Sequence, residues 1–143
     1  MSKAPLPGTC RPIEHTADLG LEFEAPTIEG LFQTAGLALF REMVSGDSGV
    51  EATSGFVEVS GLDREDLLIR FLNELLYLFE EERQVIEDIS VRMESERHLR
   101  ADIETVPFDP EVHEVVEDIK AATYHRIHIR KNRTWKATVI FDV

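Results

Sequence analysis

Two stretches of the chain repeat their apolar residues with the period of a helix, and most of the remainder alternates. Ile28, Leu31, Phe32, Ala35, Leu39, Phe40 and Met43 follow a 3.6-residue period. The spacing predicts a helix over 28–43, begun by Thr27 as cap after Pro26 and stopped by Ser45–Gly49. Leu67, Leu68, Phe71, Leu72, Leu75, Leu76 and Phe79 form a second, stronger stripe. There Asp63 with Asp66 resembles a capping box, and Glu80–Glu82 close the helix. Leu19, Leu21, Phe23 and Ala25 alternate with polar residues or glycine, as in a half-buried strand. Further strands are expected in 50–60, around Ile89–Met93 and around Leu99–Ile103, the last two joined by a polar turn at 94–97. Pro107 to Pro110 forces a loop. Segments 115–122 and 124–130 read as extended, 131–134 as a hairpin turn, and Trp135, Ala137, Val139 and Phe141 alternate to the end of the sequence. The sum is an α+β domain with a mostly antiparallel sheet system and two main helices packed on one face. Residues 1–12, with Pro5, Pro7, Gly8 and Pro12, read as a flexible N-terminal lead-in to a single domain over 13–143.

Composition narrows the classes of function. A chain of 143 residues fits one domain and buries enough surface to fold without a staple. The single cysteine, Cys10, offers no internal disulfide, and its Pro/Gly-rich setting speaks against a catalytic thiol. No apolar leader or membrane-length apolar run is visible, so a cytoplasmic protein without membrane contact is expected. The net charge of −13, from 28 acidic and 15 basic residues, speaks against strong direct binding to nucleic acid. It favours cations or a basic protein partner. One stretch runs the other way. Arg126, Arg130, Lys131, Arg133 and Lys136 crowd together, with Arg126, His128 and Arg130 on one expected strand face. This reads as an exposed basic hairpin that offsets nearby acids, or as a contact for RNA phosphate or an acidic surface.

Candidate chemistry gathers in three places: His15-Thr16-Ala17-Asp18 before the first alternating strand, Lys120 to His125 between two extended segments, and Asp142-Val143 at the end of the last strand. Phosphate-loop, dinucleotide and nucleophile-elbow fingerprints are absent. His125 and His128 differ by three and make no zinc pair on a strand face. Two aspartates with main-chain oxygen at Val143 would suit Ca²⁺, Mg²⁺ or Mn²⁺ rather than structural zinc. Spacing does not bring Asp18 and Asp142 together. Antiparallel pairing of their strands is read as leaving them at different ends, and only crossed strands or two separate sheets would join them. The alternatives are a turn-capping Asp18, a solvated Asp142 and a structural His15.

Six segments in order are similar to the archease family: Glu14-His15-Thr16-Ala17-Asp18-Leu19-Gly20; Ala38-Leu39-Phe40; Phe71-Leu72-Asn73-Glu74-Leu75-Leu76-Tyr77-Leu78; Phe108-Asp109-Pro110-Glu111-Val112-His113; Ile119-Lys120-Ala121-Ala122-Thr123-Tyr124-His125; and Val139-Ile140-Phe141-Asp142-Val143. The resemblance implies a non-enzymatic protein cofactor of an RtcB-type RNA ligase, which joins 3′-phosphate and 5′-hydroxyl RNA ends with GTP in tRNA splicing and RNA repair. It implies promotion of ligase guanylylation and multiple turnover. It also implies a divalent cation, Ca²⁺ first and Mg²⁺ or Mn²⁺ next, held by Asp18, Asp142 and Val143. Lys120 is a partner-contact residue on the same grounds, and His15 and His125 join it as candidates for activation. No residue is assigned a catalytic role. The competing readings are a chaperone-like acidic interaction module and a small divalent-metal-dependent hydrolase using His15 or His125 as base.

Overall fold

The computed structural model describes residues 4–13 and 18–143. Along them run β1 (Thr9–Ile13), β2 (Leu19–Ala25), α1 (Ile28–Met43), β3 (Val44–Ser45), β4 (Thr53–Ser60), α2 (Arg64–Glu82), β5 (Gln84–Ser95), β6 (His98–Pro107), β7 (Glu114–Val115), β8 (Ala121–Ala122), β9 (His128–Asn132) and β10 (Thr134–Asp142). A large sheet has the order β1-β2-β10-β8, and β9 pairs with β10 on the same side as β8. A smaller sheet has the order β4-β6-β5, and β3 pairs with β7 alone. Every pairing is antiparallel. The α+β architecture expected from the alternation and the two stripes is the one observed.

Each helix starts as its sequence dictates. The Thr27 hydroxyl accepts from Gly30 N at 2.9 Å, and the Asp63 carboxylate accepts from Asp66 N at 2.8 Å. Such caps satisfy amides that the first turn leaves without partners. Asp66 does not return the bond to Asp63, as a capping box would. It accepts from Leu62 N at 2.8 Å instead. Helix α2 ends where Arg83 turns left-handed, at φ 54°, and donates back to Leu78 and Phe79.

Both helices touch both sheets and each other. Leu21, Phe23, Ala137, Val139 and Phe141 of the large sheet are fully buried or nearly so, as are Leu99 and Ala101 of the smaller one. Burial of each large side chain of this kind contributes roughly 1.5–3 kcal/mol. Gly36 lets α1 approach closely: a Cβ there would lie 2.6 Å from Ile89 Cδ1 and 2.9 Å from Leu75 Cδ1. In the loop after β6, Asp109 N donates to His113 Nδ1 at 2.9 Å, and the His113 ring stacks on Phe108.

Three expectations need correction. Residues 9–12 do not belong to a loose lead-in, because β1 pairs along β2 from Thr9↔Glu24 to Ile13↔Gly20. As an outer strand it tolerates Pro12, and its exposed, polar positions hide the alternation that marks other strands. Segments 115–122 and 124–130 are extended only in β7, β8 and β9. Their intervening residues turn, and Arg126 has φ 56°, so it does not share a strand face with His128 and Arg130. Among the described residues, no helix is long and apolar enough to cross a membrane.

Candidate metal centre and its supporting segment

Strands β2 and β10 are antiparallel neighbours, in register from Trp135↔Ala25 to Phe141↔Leu19. The first residue of one strand therefore lies beside the last residues of the other. The expectation that antiparallel pairing separates Asp18 from Asp142 is wrong, because antiparallel strands bring a start and an end together. One further step of the register sets Asp18 across from Asp142. Side chains alternate along β10, so with Phe141 fully buried in the core, Asp142 turns to the solvent side. Asp18 is half-buried, and Asp142 and Val143 are exposed.

The other flank of Asp142 is equally ordered. Ala121 pairs with Asp142 and Ala122 with Phe141. Lys120 N donates to the Asp142 carbonyl at 2.8 Å. One end of the large sheet thus carries Asp18, Asp142, Val143 and Lys120. His125 belongs to none of these strands. It lies in a turn beyond Thr123, whose N–H and hydroxyl both donate to the Ile140 carbonyl, at 2.9 and 2.8 Å. His15 falls outside the described residues.

Among the described residues, no three His, Cys, Asp or Glu side chains gather as a metal cluster. The donor set at the sheet end is two carboxylates with main-chain oxygen beside them. That chemistry fits a hard cation, with ligands completed by water, and does not fit zinc.

Residues of α2 outside the candidate site set hold the segment in place. The Asn73 amide grips Ala122 twice, accepting from its N–H at 2.8 Å and donating to its carbonyl at 3.1 Å. These bonds take the place of a next strand along the edge of β8. The Tyr124 hydroxyl donates to Asp66 Oδ1 at 2.7 Å, while Arg70 Nε donates to Asp66 Oδ2 at 2.9 Å. The Tyr124 hydroxyl bond first, then the Leu62 N–H and Arg70, hold the Asp66 carboxyl below the usual carboxylate range. The same bond first, then burial, pushes the Tyr124 phenol up. Glu65 accepts from Ile129 N at 3.1 Å. One signal was available. Asp66, Arg70 and Asn73 recur at i, i+4 and i+7, a polar stripe beside the apolar one.

The remaining candidates are settled by their surroundings. Burial, then Glu42, pushes the Cys10 thiol up to about 12, so it stays protonated and unreactive near neutrality. The basic hairpin partly offsets nearby acids, with Arg130 4.0 Å from Glu22 and Lys136 3.8 Å from Glu24.

Comparison with known proteins then decides the family. The model of the Archease protein family (MTH1598/TM1083) matches residues 11–143. The chain belongs to the archease family. It is 38% identical to the protein archease of Pyrococcus furiosus, over 91% of this chain and 95% of that one. It is 34% identical to the protein archease of Methanosarcina mazei, over 92% and 93% of the two chains. The solution structure of Methanobacterium thermoautotrophicum protein 1598 superposes with a TM-score of 0.72 at 27% identity, covering 94% of this chain and 98% of that one. The archease resemblance noted in the six sequence segments is therefore a shared family and a shared fold.

Proposed function

We propose that this archease-family chain is a non-enzymatic, metal-binding cofactor of an RtcB-type RNA ligase in the cytoplasm. In this reading it promotes guanylylation and repeated turnover of the ligase in tRNA splicing and RNA repair. The observation that carries it is the antiparallel register of β2 and β10, which sets Asp18 across from Asp142 with Lys120 hydrogen-bonded to the same strand end.

Asp18, Asp142 and the main-chain oxygen of Val143 would hold the cation, Ca²⁺ by preference and Mg²⁺ or Mn²⁺ otherwise. The cation supplies a compact positive centre for phosphate oxygens. The protein's own part is to present that seat at a solvent-facing sheet end and to fix Lys120 next to it. Two carboxylates on neighbouring strands repel each other, and a divalent ion relieves the repulsion. Lys120, exposed and bonded through its main chain to the other flank of Asp142, would meet an anionic group that the partner or its nucleotide brings. His125, on the turn held by Thr123 and Tyr124, contributes to the contact surface rather than to the cation seat.

The test is multiple-turnover joining of 3′-phosphate and 5′-hydroxyl RNA ends by a cognate ligase with GTP and Mn²⁺, with this protein added substoichiometrically. Faster ligase guanylylation and sustained turnover are expected, with loss of most of the gain in Asp18→Ala and Asp142→Ala. No gain from the unaltered protein would defeat the reading. Full activation by both variants would remove the metal from it.

A further inference from the structure

We propose that the basic flank of the large sheet, from Arg126 to Arg133, is a contact for the phosphate backbone of single-stranded RNA. The proposal goes beyond the ligase reading and rests on it only for the source of the RNA.

The sequence segregates its charge sharply. Residues 119–141 hold six of the fifteen Lys and Arg and no Asp or Glu, in a chain whose net charge is −13. The fold lays these residues along one edge. Strand β8 pairs with the end of β10, and β9 pairs with its start. Lys120, Arg126, Arg130, Lys131 and Arg133 therefore follow one another down the side of β10, whose nine residues span about 27 Å. Arg130 is within reach of Glu22, but Arg126, Lys131 and Arg133 make no ion pair among the described residues.

Two backbone observations separate this edge from ordinary charge protection of a sheet. Arg126 and Arg133 both stand at left-handed φ, 56° and 67°. Gly or Asn suits that conformation better. An edge lysine or arginine in extended backbone would block strand pairing without the strain. Both strained positions carry an exposed guanidinium, the group that best matches phosphate oxygens. Beside them, Trp135 is flanked by Arg64, 5.1 Å from its ring centre, and Lys131, at 5.4 Å. A recess lined by Arg130, Asn132, Thr134, Lys136 and Glu24 adds the Asn132 amide as a neutral donor, while the Thr134 hydroxyl donates to Glu24 at 2.6 Å. Cations, a neutral donor and a partly exposed indole are the components of a single-strand contact, whereas an acidic polypeptide would use the cations alone. The overall negative charge makes the contact weak by itself. It suits RNA already held close by a partner, where effective concentration is high.

The test uses the full chain without any ligase, so its failure is distinct from failure of the ligase reading. The isotope-labelled protein is titrated at low salt with a short oligouridylate, and separately with an oligo-aspartate of equal charge. Amide shifts confined to 126–136, with a shift of the Trp135 indole N–H, are expected with the RNA alone. Affinity should fall with salt at a log–log slope of about −2 for three phosphates. Arg126→Asn and Arg133→Gly fit the left-handed backbone, so the fold is kept, and each should flatten the slope by about 0.7. Arg133→Lys should retain it. No shifts, shifts only around Asp142, equal shifts with oligo-aspartate, or an unchanged slope in both charge-removing variants would overturn the proposal.

Discussion

Helices α1 and α2 pack on the same two sheets, yet they use their polar side chains differently. Helix α1 buries eleven of its sixteen residues and α2 nine of its nineteen, so α1 is surrounded while α2 keeps an open polar side. Polar residues at the margin of α1 finish the fold. Gln33 accepts from Val91 N at 2.9 Å and Glu29 from Met93 N at 2.8 Å, closing the free edge of β5. The polar stripe of α2 performs the same backbone chemistry on the edge of β8 and β9, but there the edge leads to Lys120, His125 and Asp142. The same device, a helix side chain standing in for a missing strand, serves stability on one helix and the candidate site on the other. This difference predicts which substitutions separate folding from function.

The largest effect belongs to α1. Phe32 is fully buried, with its ring centre 6.0 Å from that of Phe71. Phe32→Ala should lower unfolding stability by about 3–5 kcal/mol in urea titration. A loss below about 1 kcal/mol would mean that α1 is not the buried member of the pair.

Asn73→Ala should cost about 1–3 kcal/mol, because it strands two main-chain groups of Ala122. It should also move the amide resonances of Lys120–His125 and of Asp142, and reduce ligase activation in the folded protein. Gln33→Ala, its counterpart on α1, should cost about 0.5–1.5 kcal/mol and leave activation unchanged. Equal losses of activation in the two variants would erase the contrast between the helices.

The smallest expected effect is a pH dependence. The native Asp66 carboxyl lies below its unfolded value, so its contribution to stability is full above the ordinary carboxylate range and is lost as pH falls through the native value. Tyr124 is shifted up, so its hydroxyl still donates at pH values where a free phenol ionises. Absorbance titration should show one tyrosine ionising late, and Asp66→Asn should return it toward 10. A late tyrosine that persists in Asp66→Asn would show that another group causes the shift.

Much of this was readable in the chain and some was not. Both helices and the strands β2, β4, β5, β6 and β10 follow periods of 3.6 and 2, because each buries one side against the core. Strand β1 departs from the pattern because it is an outer strand with Pro12 and exposed polar residues, and only Cys10 and Ile13 are half-buried. Strands β8 and β9 are shorter than the extended runs expected, since the turns between them are made by Thr123 and Tyr124 bonds to distant residues. The candidate site residues stand out at three places along the chain, and the archease resemblance supplies their expected roles. Their spacing carries no sign that Asp18 and Asp142 meet, and antiparallel neighbours bring the start of β2 beside the end of β10, the reverse of the expectation.

Local pattern in the sequence determined the elements, the caps at Thr27 and Asp63, the α+β class and the concentration of positive charge in 119–141. Those properties depend on neighbours within a turn or along a strand, so the order of residues is enough to specify them. Only the tertiary structure decided that β2 lies beside β10, that Asp18 stands across from Asp142, and that Asn73 completes the edge of Ala122. Those contacts join residues far apart in the chain. They form because two sheets must bury their apolar sides against the same pair of helices, and no local pattern records which strands that burial makes adjacent.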